Sequence, residues 1–282
     1  VVCTRLEHNA VARPLRELER LGARLEFVGN DAAGRLDMSE LEKLLTDGRE
    51  VRAVVVNHAS NVTGAVSPMA EIGRLVKEKT RAALVVDAAQ TAGAEAIDVR
   101  EMQIDLLAFS GHKSLLGPQG TGGLFAAETV ALKPYCFGGT GSASESDIQP
   151  GFMPDMLESG TPNTPGIAGL LAGLRYIREK GLDKLRESEQ TLTKRLMAGL
   201  SRQPKVRLLG PPAGEPRAAV VSFVLRGMDS AFVARELDVR FGIACRGGLH
   251  CAPWAHRQMG TILSGAVRMS PGIFNTEADI DQ

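Results

Sequence analysis

Aromatic residues are scarce in these 282 residues: they make up 4% of the chain, with one Trp and two Tyr. A surface that binds nucleic acid by stacking bases needs more of them. An excess of charge of one sign is also missing. Lys and Arg number 33, Asp and Glu number 33, and the formal net charge is +0, so no global field draws the chain to nucleic acid or to an anionic membrane. Cysteine is sparse too. Cys3, Cys136, Cys245 and Cys251 are too few and too scattered to staple a disulfide scaffold of this length, and they read as reduced thiols. No apolar run approaches the ~20 residues that cross a bilayer. With no signal-peptide pattern either, the expected location is the cytoplasm. Internal repeats and low-complexity tracts are absent. What remains, 44% hydrophobic and 23% charged, is ordinary globular composition. The length suits about two domains of ~150 residues, or one large α/β domain.

The first half alternates helical stretches with short β-branched runs, the pattern of parallel strands joined by helices. Helices are predicted over Val11–Leu21, Ser39–Leu45 (capped by Asp37 or Ser39) and Pro68–Lys79. Strands are predicted over Leu25–Val28, Ala53–Asn57, Ala83–Asp87, Leu106–Ser110 and Gly123–Ala126. Buried strands here end in polar residues. Ligands of open α/β sheets bind at the carboxyl ends of the strands, so Asn57–Asn61, Asp87–Gln90 and Ser110–Lys113 are expected to converge. Tyr135–Pro165 is a long irregular stretch rich in Gly, Ser and Pro. Beyond it the pattern predicts helices over Gly166–Gly181, Leu182–Leu200, Ser230–Leu237 and Asn275–Asp281. Strands are predicted over Val206–Leu209, Ala219–Leu225 and Ala266–Ser270, in a smaller α+β unit. The domains are therefore expected at residues 1–165 and 166–282.

Lys113 follows a buried strand and precedes a Gly-rich loop. Partial desolvation there would lower its pKa and supply a neutral amine that can condense with an aldehyde. Taken alone, it reads more simply as a surface loop lysine. Asp87 closes a strand, where a carboxylate can keep a pyridine nitrogen protonated; the purely local reading is a cap. Asn61 and Gln90 are amides able to donate to a ring oxygen, or are ordinary turn residues. Cys251 lies in a loop with Gly247, Gly248 and Pro253, and Arg246 and His250 nearby are expected to favour a mobile, activated thiolate. The other three cysteines read as small buried hydrophobes. His250, Cys251 and His256 hint at zinc, but no fourth ligand stands at metal spacing, and no metal is expected.

Six segments occur in order: EHNA (7–10), NHASNVTG (57–64), VVDAAQTAG (85–93), FSGHKSLLGPQGTGGLF (109–125), ESGTPNTPGIAGL (158–170) and RGGLHCAPWAH (246–256). Together they resemble the cysteine desulfurase branch of the class V aminotransferase superfamily, pyridoxal-phosphate enzymes of fold type I. That resemblance implies an α/β fold with a mostly parallel sheet and a smaller C-terminal α+β domain. It also implies a homodimer with L-cysteine, or L-selenocysteine, as substrate, which moves the sulfur of L-cysteine onto Cys251 as a persulfide, leaves alanine, and passes the sulfur to a sulfur-acceptor protein. By resemblance, Lys113 bonds the cofactor aldehyde and moves protons, Asp87 pairs with the ring nitrogen, and Gln90 and Asn61 hold the ring oxygen. His8 stacks on the ring, Ser110 and His112 bind the phosphate, and Thr161 reaches the phosphate of a neighbouring subunit. Arg268 clamps the substrate carboxylate, with Asn61 beside it. Alternatives are a selenocysteine lyase, another lyase or aminotransferase of the superfamily, or a scaffold that kept the fold and lost catalysis. Related enzymes are expected to carry roughly 80 further residues before Val1, an ordinary sub-domain length. These would include a Gly/Thr phosphate turn, with more helix after Gln282, so the chain reads as truncated at both ends.

Overall fold

The computed structural model describes residues 1–282. Its first sheet contains β1 (Val2–Thr4), β2 (Glu26–Val28), β3 (Ala53–Asn57), β4 (Ala83–Asp87), β5 (Leu106–Ser110) and β6 (Gly122–Ala126), in the order β2-β1-β3-β4-β5-β6. All neighbours are parallel except β5 and β6. Helices α1 (Asn9–Arg20), α2 (Met38–Thr46) and α3 (Met69–Lys79) make the crossovers between β1 and β2, β2 and β3, and β3 and β4.

Period-2 alternation sorts the side chains of the central strands. Val54, Val56, Leu84 and Val86 enter one core with Leu41 of α2 and Ile72 and Val76 of α3. Val55 faces the other way, into a cluster with Cys3, Ala12, Leu15 and Trp254. With both faces covered, these strands read as near-continuous apolar runs. Asn57 pairs with Asp87, and Asp87 with Ala108. The polar strand ends therefore share one edge of the sheet.

After the irregular stretch come α4 (Thr164–Lys180) and α5 (Leu182–Ser201), then β7 (Val206–Leu209), β8 (Val221–Leu225), α6 (Ser230–Phe241), β9 (Arg246–Gly248), α7 (Pro253–Gln258), β10 (Ala266–Met269) and α8 (Glu277–Asp281). The second sheet is antiparallel, in the order β7-β8-β10-β9. A shared cluster joins the two halves: Leu6 and Val62 pack against Leu209, Ala252, Ala255 and Ala266.

Several element bounds differ from expectation for local reasons. Helix α1 begins at Asn9 because the His8 Nδ1 accepts the Ala10 N–H at 3.0 Å and caps it. Asp37 is the cap of α2, its Oδ1 accepting the Glu40 N–H at 2.9 Å. Helix α6 runs on to Phe241 and stops at Gly242, whose φ of 68° suits glycine. Strand β1, strand β9 and helix α7 are too short to carry a period and were not anticipated.

Candidate active site

Two adjoining cavities lie where the polar strand ends meet the second sheet. The smaller, about 260 Å³, is walled by Asp87, Gln90, Ser110, Lys113, His8 and Asn61 among others. The larger, about 510 Å³, shares His8, Asn61, Gln90, Ser110 and Lys113 and adds His112, Arg246, Cys251 and Arg268. The convergence expected from strand ends is thus realised, and the C-terminal Cys251 and Arg268 arrive at the same place.

Each side chain is delivered by a specific element. Asp87 is the last residue of β4; its Oδ1 accepts the Ala89 N–H at 2.8 Å, leaving Oδ2 for a ligand. The local turn-forming use of this Asp and a ligand-binding use are therefore compatible. Ser110 ends β5, and Lys113 follows it past Gly111. Gly111 is required by close approach, since a Cβ there would overlap Thr121. Burial pushes the Lys113 amine below its usual range, and the Arg268 charge adds to this while Asp87 opposes it. His8, half-buried, is likewise held below its usual value, chiefly by burial; the charges of Asp87, Lys113 and Arg268 all act on it. These mutual influences place the four groups in one electrostatic neighbourhood.

Arg268 sits on β10 and donates Nη1 to the Asn61 carbonyl at 3.1 Å, which leaves the rest of its fork for a carboxylate. Burial lowers its pKa, with Arg246 adding and the Cys251 charge opposing. Asn61 is buried, and its Nδ2 donates to the His250 carbonyl at 2.8 Å. Thr161 is exposed in the loop before α4 and lines neither cavity.

The Cys251 turn differs from expectation in two respects. It is pinned rather than free: besides the Asn61 bond, the Cys251 carbonyl accepts the Asn9 N–H at 2.7 Å, and the following Ala252 is fully buried. His250 is also no cation beside the thiol, because burial drives its pKa down to about 3. Among the remaining cysteines, Cys3 is buried as anticipated. Cys136 is exposed, since it lies in the irregular stretch where no core covers it, and Cys245 is half-buried.

Two acids were not anticipated. Glu7 is fully buried, with Oε1 accepting from Thr4 Oγ1 at 2.6 Å and from the Asn57 backbone and side-chain amides at 2.9 and 3.2 Å. Burial, with the Asp87 charge adding, pushes its carboxyl up to about 8. Glu189 of α5 lines the larger cavity, and burial beside Glu95 pushes it up to about 7. Only the position of Glu7, one residue before His8, hinted at either.

The family model for aminotransferase class V matches residues 1–282. The chain belongs to the aminotransferase class V family. Its matched relatives within the family carry the name cysteine desulfurase. "Probable cysteine desulfurase 2" of Mycobacterium leprae is 36% identical over 289 residues, covering 100% of this chain and 66% of that protein. "Probable cysteine desulfurase" of Pyrococcus abyssi is 34% identical, covering 100% of this chain and 69% of its own length. The apo cysteine desulfurase of Thermococcus onnurineus superposes with a TM-score of 0.89 at 36% identity, over 99% of this chain and 69% of that one. The class V chain described here thus spans about two thirds of the length of the relatives it matches. No helix in it is long and apolar enough to cross a membrane.

Proposed function

We propose that the protein carrying these residues is a cysteine desulfurase that converts L-cysteine to L-alanine and keeps the sulfur on Cys251 as a persulfide. The observation that carries this reading is the exposed Cys251 thiol in the wall of the cavity that also holds Lys113 and Arg268. Residues 1–165 would form the cofactor-binding part, and 166–282 the part bearing the Cys251 turn and Arg268.

The donor set fits pyridoxal phosphate. Asp87 keeps one carboxylate oxygen without a backbone partner, and the half-buried amine of Lys113 shares the cavity with it. Asp87 would hold the ring nitrogen, Gln90 and Asn61 the ring oxygen, His8 the ring face, and Ser110 and His112 the phosphate. Thr161 would reach the phosphate of a second copy in a dimer. When bound, the cofactor supplies an aldehyde and an electron-withdrawing ring for chemistry at the substrate α-carbon.

The chain's own residues do the rest. Arg268 binds and orients the substrate carboxylate. Lys113 Nζ, kept below its usual pKa, takes and returns the α-proton. Cys251 Sγ bonds to the substrate sulfur as the Cβ–S bond breaks; that bond's electron pair stays on carbon, which takes up a proton to complete the methyl group of alanine.

The test is a visible spectrum with pyridoxal phosphate, together with an assay of alanine formed from L-cysteine. The expected result is a chromophore that Lys113→Ala removes, and alanine formation that Cys251→Ala abolishes. Release of sulfide from L-cysteine by Cys251→Ala at the parental rate would overturn the persulfide reading. Selective survival of selenocysteine cleavage in that variant would support it.

A further inference from the structure

His250 and Cys251 are consecutive non-glycine residues in the left-handed region, with φ of 49° and 54°. Each such residue costs roughly 1–2 kcal/mol and persists only where its surroundings hold it. Asn9 and Asn61 hold the two carbonyls of this turn from the first-sheet side. From the other side, beside the ladder that pairs Gly248 with Ala266, one side-chain hydrogen bond holds it. The buried His250 Nε2 lies 3.0 Å from the Ala266 carbonyl, two residues before Arg268 on β10. A carbonyl only accepts, so Nε2 carries the hydrogen and Nδ1 is the bare nitrogen. Nδ1 is buried with no partner, and the ring packs against His256 with centroids 5.4 Å apart. A proton added to Nδ1 would place charge in a dry site that already feels Arg268 and Arg246.

We propose that His250 is a positioning residue: its uncharged ring, donating Nε2–H to Ala266, fixes the strained Cys251 turn relative to Arg268 and exchanges no proton itself. The proposal rests on Cys251 as the sulfur acceptor. Nucleophile and carboxylate clamp come from separate elements, and this hydrogen bond ties the cysteine turn directly to the strand that carries the arginine.

The test compares His250→Gln, whose amide nitrogen can reach the Nε2 position, with His250→Leu, which has no donor, and His250→Asn, whose amide is too short. Iodoacetamide labelling of Cys251 is followed by peptide mass spectrometry in the cofactor-free chain, and kcat/KM for L-cysteine is measured in the loaded enzyme. Loss of one such hydrogen bond corresponds to about tenfold. Leu and Asn are expected to label Cys251 and turn over cysteine about tenfold more slowly. Gln should restore both, with the acid limb of the pH–rate profile unmoved. Should Leu fail to fold, the comparison of Gln with Asn decides. A Gln variant as slow as Asn in labelling and turnover would show that the imidazole itself is needed, and an Asn variant equal to the parent would show that the bond positions nothing; either overturns the proposal. If Cys251→Ala keeps full activity, the desulfurase reading fails separately, while the labelling series still judges the positioning role.

Discussion

Arg217→Met removes a buried cation that no carboxylate neutralises. Arg217 is 3% exposed. Its Nη1 donates to the Pro211 carbonyl at 2.6 Å, and its Nη2 lies within reach of the carbonyls of Thr63 (2.9 Å), Val220 (2.9 Å) and Leu209 (3.2 Å). Thr63 stands in the segment after β3 that carries Asn61, while the other three belong to the C-terminal unit, so the guanidinium stitches the halves together beside the site. Methionine keeps the apolar stem and deletes every donor. Each carbonyl left without a partner costs roughly 1–3 kcal/mol, partly offset because a costly buried cation is gone. The net loss is about 4 kcal/mol, a large share of the 5–15 kcal/mol that usually holds a domain. Arg217→Lys keeps a point charge without the planar fork and should lose about half as much.

Urea unfolding followed by circular dichroism and by Trp254 fluorescence measures these differences. Since no ion pair is broken, the deficit should be the same in about 0.1 M and about 1 M NaCl. A Met variant within about 1 kcal/mol of the parent, or a deficit that shrinks with salt, would refute the carbonyl-satisfaction argument.

Glu7, pushed up to about 8 by burial, loses its proton in the unfolded chain before it does in the folded one. Its contribution to stability therefore falls as pH rises from the ordinary carboxyl range toward 8. The stability of Glu7→Gln relative to the parent should accordingly improve over that interval, and parallel pH–stability curves would contradict the assignment of a neutral Glu7. Gly73 lies in α3 against the Met102 carbonyl, which an added Cβ would overlap. Alanine gains ~1 kcal/mol in helix propensity, yet overpacking against backbone should cost about 2 kcal/mol more than that gain. The thermal midpoint of Gly73→Ala should fall, and a rise would show that the helix can shift away. Arg268→Lys should raise KM for L-cysteine about tenfold with a smaller change in kcat, because a bidentate fork is replaced by a point charge; an unchanged KM would remove Arg268 from substrate binding.

Sequence periodicity was enough to set the bounds of β3, β4 and β5, because alternating β-branched residues between polar punctuation leave little choice of register or length. The same pattern announced that Asn57, Asp87 and Ser110 would lie together at the strand ends. Ordered motifs supplied the family and pointed to Lys113 and Cys251, and the resemblance they carry pointed to Arg268. Tertiary structure alone decided the state of those groups. Asn61 and His250 are 189 positions apart and share a hydrogen bond, and no local propensity encodes such a contact. Glu7, His250 and Arg217 look like ordinary polar residues in the chain. Burial, which depends on what the distant half brings against them, makes the first a neutral acid, the second an uncharged tether and the third a cross-link between the two halves.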